Sequence, residues 1–376
     1  MPSLPMELIF LIATYLAPLD QVSLLQAVPG IAGLFTSRQF TSTDDKGNTI
    51  LHLQARACTT PERAFYRLGI PFFPSILAPH EGAILHPRNH AGATPLMLAA
   101  RAHNLRFMQL LLKKDPEGLN LLDENGLNAL WYAISYAEGL ALLLEQPLIE
   151  FRHCNLGQGR ESPVFHALNS GYGPYDICSL LAKHPATHLS EVNEDGQTAL
   201  MVACRGDEEQ EQLVRDILDR GGFDINATDP HGNTALHFAA WYNSPEIIEM
   251  LVAQEGIEVN LPDNGGRTPL MKATYDWALE ALLARKDVDV NWTDHDGRSA
   301  LSHIARRGIE ESARVLLAHG ARPDLQDFSG YTPISRAAMA MKGDMVEILE
   351  AALAETGDLA TLAPTERLLG RDVDYL

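Results

Sequence analysis

Apolar residues recur along most of the chain in short blocks at helical spacing, each preceded by a polar, glycine-containing turn. One hexapeptide, Thr-Pro-Leu-x-x-Ala and its variants, carries the periodicity. It is clear at residues 94–99, 198–203, 234–239 and 268–273, a further copy opens at Thr332, and weaker ones begin at Thr49, Asn128, Ser162 and Ser299. Counted from the first position, the steps are 45, 34, 34, 36, 36, 34, 31 and 33 residues. Nine repeated units are implied, covering roughly residues 44–353.

The contents of a unit predict its local structure. Glycine stands two positions before the first hexapeptide residue at Gly47, Gly92, Gly196, Gly232, Gly266, Gly297 and Gly330, three residues after Asp or Asn. Asp and Asn bond their own backbone and glycine accepts a positive φ, so a tight turn is expected there. The Thr or Ser hydroxyl can then cap a helix whose first position tolerates proline. Leu and Ala form the apolar stripe of that helix, and small Ala side chains admit a second helix closely. Ile247, Ile248, Leu251 and Val252, then Val315, Leu316 and Leu317, mark second helices by their spacing. Neither helix can bury its stripe alone, so neighbouring units must stack, with no central sheet. Two places depart from the pattern: the fourth unit, residues 162–167, lacks the regular turn, and residues 54–91 carry extra length and five prolines.

Residues 1–40 do not fit the repeat. Leu4, Pro5, Glu7 and Leu8 precede Ile12 and Leu16, then Val22, Leu24 and Leu25 follow Asp20, which predicts two short amphipathic helices interrupted at Pro18. A third can hold Ile31, Leu34 and Phe35.

The repeat resembles the ankyrin repeat, and the resemblance implies an all-α solenoid: β-turn fingers, paired antiparallel helices and a concave binding face. Residues 41–376 then form the array and residues 1–40 a separate helical module. In the ankyrin family the concave face is built by turn residues and by positions just after the first helix's Ala pair. Carried onto this chain, the helix positions are Tyr136, Arg205, Trp241, Tyr242, Tyr275, Asp276, Arg306 and Arg307, and the turn positions are His231, Arg267, His295, Arg298, Phe328 and Tyr331. The amino-terminal segment resembles the F-box, which in its family docks the Skp-type adaptor of cullin-RING ubiquitin ligases; Leu4, Pro5, Glu7, Leu8, Ile12 and Leu16 would carry that contact. An amino-terminal cap for the first repeat is the other reading of the same residues.

Charge narrows the partners. Lys and Arg number 29 against 49 Asp and Glu, a formal net charge of −20, which opposes nucleic acid and anionic membrane surfaces as general partners. Four scattered cysteines without CxxC spacing predict a reduced protein of the cytoplasm or nucleus. The apolar stretch 8–19 follows Glu7 instead of a basic segment, so it does not read as a secretory signal. No phosphate-loop, HExxH, EF-hand or GxSxG pattern is present, and neither a metal nor a cofactor is expected. His52 and His237 sit at a recurrent position of the first helix and read as structural. These residues point to a monomeric protein-binding module, as substrate-recognition subunit of a ubiquitin ligase or as a scaffold; an enzyme with a pocket on the concave face is the alternative from another class.

Overall fold

The computed structural model of the chain describes residues 43–56, 86–151, 154–155, 160–169, 175–205 and 210–356. Two compact units divide it, Met1–Thr187 and His188–Leu376. The six adaptor-contact positions, Leu4 to Leu16, lie outside the described residues.

In the first unit, α1 (Ile50–Arg56) is followed by the pairs α2 (Pro95–Arg101) and α3 (Leu105–Lys114), α4 (Ala129–Ala133) and α5 (Ala137–Leu144), and α6 (Pro163–Asn169) and α7 (Tyr175–Lys183). The second unit contains five pairs: α8 (Ala199–Ala203) and α9 (Glu211–Arg220), α10 (Ala235–Tyr242) and α11 (Pro245–Val252), α12 (Pro269–Lys272) and α13 (Asp276–Leu283), α14 (Ala300–Arg307) and α15 (Glu310–Ala318), and α16 (Pro333–Met339) and α17 (Gly343–Thr356). Each of the nine hexapeptides begins a helix. Packing is between neighbours: α8, α10, α12, α14 and α16 form one row, α9, α11, α13, α15 and α17 the other, and α2 packs on α1 and α4. The only described strands, β1 (Cys154–Asn155) and β2 (Arg160–Glu161), form a two-stranded antiparallel ribbon where the fourth unit lacks its regular turn.

The core lies between the rows. Leu236, Ala239, Ala240, Ile247, Ile248 and Leu251 are solvent-excluded, and so are Leu301, Ala305, Ala313 and Leu316. Helix starts follow the expected capping at five positions: Thr94, Thr198, Thr234, Ser299 and Thr332 accept from the amide three residues on, at 3.3 to 3.4 Å. Thr268 and Asn128 do not cap in this way. The Met271 amide turns to the Thr268 carbonyl instead, at 3.0 Å, and the Asn128 side-chain amide donates to the Glu150 carbonyl.

Candidate functional site

Each finger is built around one acid or amide. The Oδ1 atom of Asp44, Asn89, Asp123, Asn193, Asp229, Asp263, Asp294 and Asp327 accepts from the backbone amides two and four residues on, at 2.7 to 3.1 Å. Glycine closes the loop at a φ between 72° and 80° in all seven predicted positions, and Gly126 does the same at 79°. A second demand acts on these glycines. A Cβ on Gly266 would meet His295 at 2.5 Å and one on Gly297 would meet Phe328 at 2.8 Å, because each finger lies on the next.

The second oxygen of each turn carboxylate must also be satisfied where it is buried. Asn48 and Asn233 donate to Oδ2 of Asp44 and Asp229, four residues back. Elsewhere the donor lies nine residues on, in the inner helix: Tyr132 on Asp123, Lys272 on Asp263, His303 on Asp294 and Arg336 on Asp327. Where the turn residue is Asn89 or Asn193, with no charge to satisfy, the ninth position is apolar, Leu98 or Val202. Lys272 and Arg267 hold Asp263 well below the usual carboxylate range despite its burial.

His52 and His237 join adjacent repeats. The His237 Nδ1 atom accepts from the Thr234 amide at 3.1 Å, so the ring proton lies on Nε2, which donates to the Arg267 carbonyl at 2.9 Å. His52 does the same between Thr49 and Ala93. Burial pushes the pKa of His237 down to about 4 and that of His52 in the same direction. Both are structural, as the sequence indicates.

In the second unit, five of the predicted face residues border one recess of about 380 Å³: Arg205, His231, Trp241, Tyr242 and Arg267. Asn233, His237, Phe238, Asp263 and Lys272 complete its lining. The Arg205 guanidinium lies 4.9 Å from the Phe238 ring centroid and the Lys272 ammonium 5.1 Å from that of Trp241, both within cation–π range. Trp241 is 59% exposed, Tyr242 51% and Tyr275 45%. Tyr275 stacks on Trp277, 47% exposed, with centroids 4.6 Å apart. Asp276 opens α13, and Arg306 and Arg307 end α14 in solvent. The remaining finger positions are engaged locally: Arg298 pairs with Asp296 at 2.7 Å, His295 and Phe328 sit over the preceding glycines, and Tyr331 lies under Arg336. Tyr136 belongs to the first unit and stacks on His103, with centroids 4.5 Å apart.

Sequence reasoning overlooked Lys272, Trp277 and Asn243. A usable signal existed for Lys272: it occupies the fifth hexapeptide position, where Leu98, Val202 and Phe238 stand in other copies, and it follows a turn acid by nine residues.

Sequence profiles of ankyrin repeats match residues 71–152 and 274–356 (three copies), 217–273 (many copies) and 195–230 (single repeat), together more than half of the chain. The chain belongs to the ankyrin repeat family. An ankyrin repeat protein of Acanthamoeba polyphaga mimivirus is 40% identical over 81 residues, covering 21% of this chain and 11% of that protein. The E3 ubiquitin-protein ligase Ufd4 of Drosophila melanogaster is 26% identical over 188 residues, half of this chain and 6% of the ligase. Human SH3 and multiple ankyrin repeat domains protein 2 is 30% identical over 194 residues, again half of this chain and 10% of that protein. The chain thus spans about a tenth or less of the length of these relatives. Ankyrin repeats mark it as a protein–protein interaction module, and the matches do not extend the F-box resemblance of residues 1–40. Among the described residues no helix is long and apolar enough to cross a membrane.

Proposed function

We propose that the chain is a substrate-recognition protein in which the ankyrin fingers and inner helices of the second unit hold a protein target, while residues 1–40 engage a Skp-type adaptor and so deliver that target to a cullin-RING ubiquitin ligase. The observation that supports the target face is the group of four large aromatics left in solvent on adjacent repeats. Trp241, Tyr242, Tyr275 and Trp277 stand where the core does not need them, and two are fixed by stacking. Preorganised aromatics flanked by arginine are the composition of binding hot spots. The ligase half of the reading rests on the F-box-like spacing of Leu4, Pro5, Leu8, Ile12 and Leu16. The likeness of half of the chain to a protein named as a ubiquitin ligase is consistent with it.

The test is affinity purification of the tagged chain from its native cell, beside a form lacking residues 1–40. The wild type should carry a Skp-family adaptor together with a target, and the truncated form should lose the adaptor and keep the target. Absence of adaptor from the wild type would remove the ligase half, leaving residues 1–40 as a cap on the first repeat and the chain as a scaffold.

A further inference from the structure

The seventh repeat is the shortest, 31 residues from Thr268 to Ser299, and the missing length is taken from its inner helix. α12 has four residues where α10 and α14 have eight each. Its chain leaves the helix at Ala273, with φ −62° and ψ 134°, one turn early. A helical turn rises about 5.4 Å, so the last turns of α10 and α14 stand as the two walls of a notch of about that depth. Trp241 and Tyr242 form one wall. Arg306 and Arg307 form the other.

The floor of this notch is tied down from both sides. Asn243, in the left-handed conformation at the end of α10, accepts from the amides of Thr274 and Tyr275 at 2.8 and 3.1 Å. From the opposite side Arg307 donates to the Thr274 hydroxyl at 2.6 Å and Ser312 to the Thr274 carbonyl at 2.8 Å. A third clamp runs from the Trp277 indole N–H to the Asn243 carbonyl, at 3.2 Å. The shortened repeat is therefore a fixed surface.

Cationic side chains flank it. Arg307 reaches the floor at Thr274, Arg306 is exposed beside it at the end of α14, and Lys272 and Arg267 lie behind Trp241 in the neighbouring recess. Among acids, Asp263 is consumed by Lys272 and Arg267, Asp276 opens α13 at the floor, Glu246 and Glu310 lie in the first turns of α11 and α15, and Glu311 pairs with Arg314 at 3.7 Å. In a chain of net charge −20, four cationic side chains are thus gathered in a patch beside exposed aromatic rings. At physiological salt, charges beyond about 8 Å are screened, so the patch and not the net charge governs what docks there.

Resting on the recognition reading above, we propose that the notch of the seventh repeat docks an acidic peptide segment of the protein target, an apolar side chain seated on Trp241 and Tyr242 and neighbouring carboxylates on Arg306 and Arg307. Arginine binds carboxylates through paired N–H donors, and indole faces take apolar side chains, so the two walls read two adjacent features of one segment. Net charge alone points to a basic partner; the local geometry points the other way.

The experiment is selection of a random 12-residue peptide phage library on the immobilised full chain, followed by binding titrations of the selected peptides. Expected are peptides with Asp or Glu within a few residues of Leu, Phe or Trp, binding that weakens as salt is raised, and a loss of about tenfold or more in affinity for both Trp241→Ala and the double variant Arg306→Glu, Arg307→Glu. Circular dichroism confirms that both variants are folded; the single variants Tyr242→Ala and Arg306→Glu replace either one that is not. Basic or uncharged peptides that still require Trp241 would overturn the acidic chemistry and leave the recognition face standing. Peptides indifferent to every one of these substitutions would overturn the site itself. An oligo-dT 20-mer that displaces the peptide at equal concentration would show a general anion surface, which also overturns the proposal.

Discussion

The buried ring of His237 sets a pH window for stability. Its pKa is lowered from 6.5 to about 4 in the folded chain, so on acidification the unfolded chain takes the proton first. The contribution is complete above about pH 6.5 and is lost as the pH falls toward 4. Between pH 7 and pH 5 the loss is about 2 kcal/mol for this one group, from the ratio of proton binding in the two states. His237→Ala should act twice. At pH 7 it leaves the buried Thr234 amide without a partner and takes one of two donors from the Arg267 carbonyl, which keeps the Asp263 amide, a cost of about 2 kcal/mol. It also removes the slope, so the variant should lose less stability than the wild type on going from pH 7 to pH 5. Urea titrations of both proteins at the two pH values, followed by circular dichroism and tryptophan emission, measure the difference. His52 and the other titrating groups are common to both chains and cancel. Equal slopes in the two proteins, or a His237 ring that titrates near 6.5 by NMR, would refute the argument.

Three further outcomes follow from the packing. Gly330→Ala places a Cβ in open space at a φ of 80° and should cost about 1 kcal/mol, whereas Gly297→Ala adds a 2.8 Å contact with Phe328 and should cost more, by thermal denaturation. Lys272→Met leaves Arg267 as the one cation on Asp263 and should destabilise by about 1 to 3 kcal/mol, while the emission of Trp241 shifts as the cation beside its ring is removed. Leu236→Ala, at a fully buried site, should cost about 2 to 5 kcal/mol in urea titration, and Trp241→Ala less than about 1 kcal/mol.

Much of this architecture was legible because it repeats. A hexapeptide that opens a helix and packs it in one register carries the same instruction nine times, and the weak copies at Thr49, Asn128 and Ser162 start helices as the strong ones do even where the cap or the turn is missing. The finger glycines and the second helices at Ile247 and Leu316 follow from residue type alone. What stayed hidden were contacts between units. The pairing of Asp263 with Lys272 needs a turn acid compared with the ninth residue after it, and the carbonyl under His237 belongs to the next repeat. The ribbon at Cys154–Glu161 has no periodic signature, being local to one unit. On the candidate face, Trp241 and Tyr242 were visible as aromatics at positions that packing does not require. The notch beside them was not, because it arises from residues that α12 lacks, and a shortened step shows its origin only when its two neighbours stand next to it.

At five junctions the stacking of one finger upon the next places one amide-to-carbonyl bond between the two turns. The N–H of His90 donates to the Lys46 carbonyl, that of Glu124 to Ala91, that of Asn264 to His231, that of His295 to Gly265 and that of Phe328 to Asp296, at 2.9 to 3.2 Å. None of these donors belongs to a helix, so a helix can remain intact while its junction parts. Their exchange with deuterium therefore reports the separation of one particular pair of neighbours, and the helix amides on either side report the melting of the units themselves. A chain whose stability is a sum of unit and interface energies usually yields only the sum. Here five backbone protons keep the interface contribution apart, junction by junction, without any substitution being made.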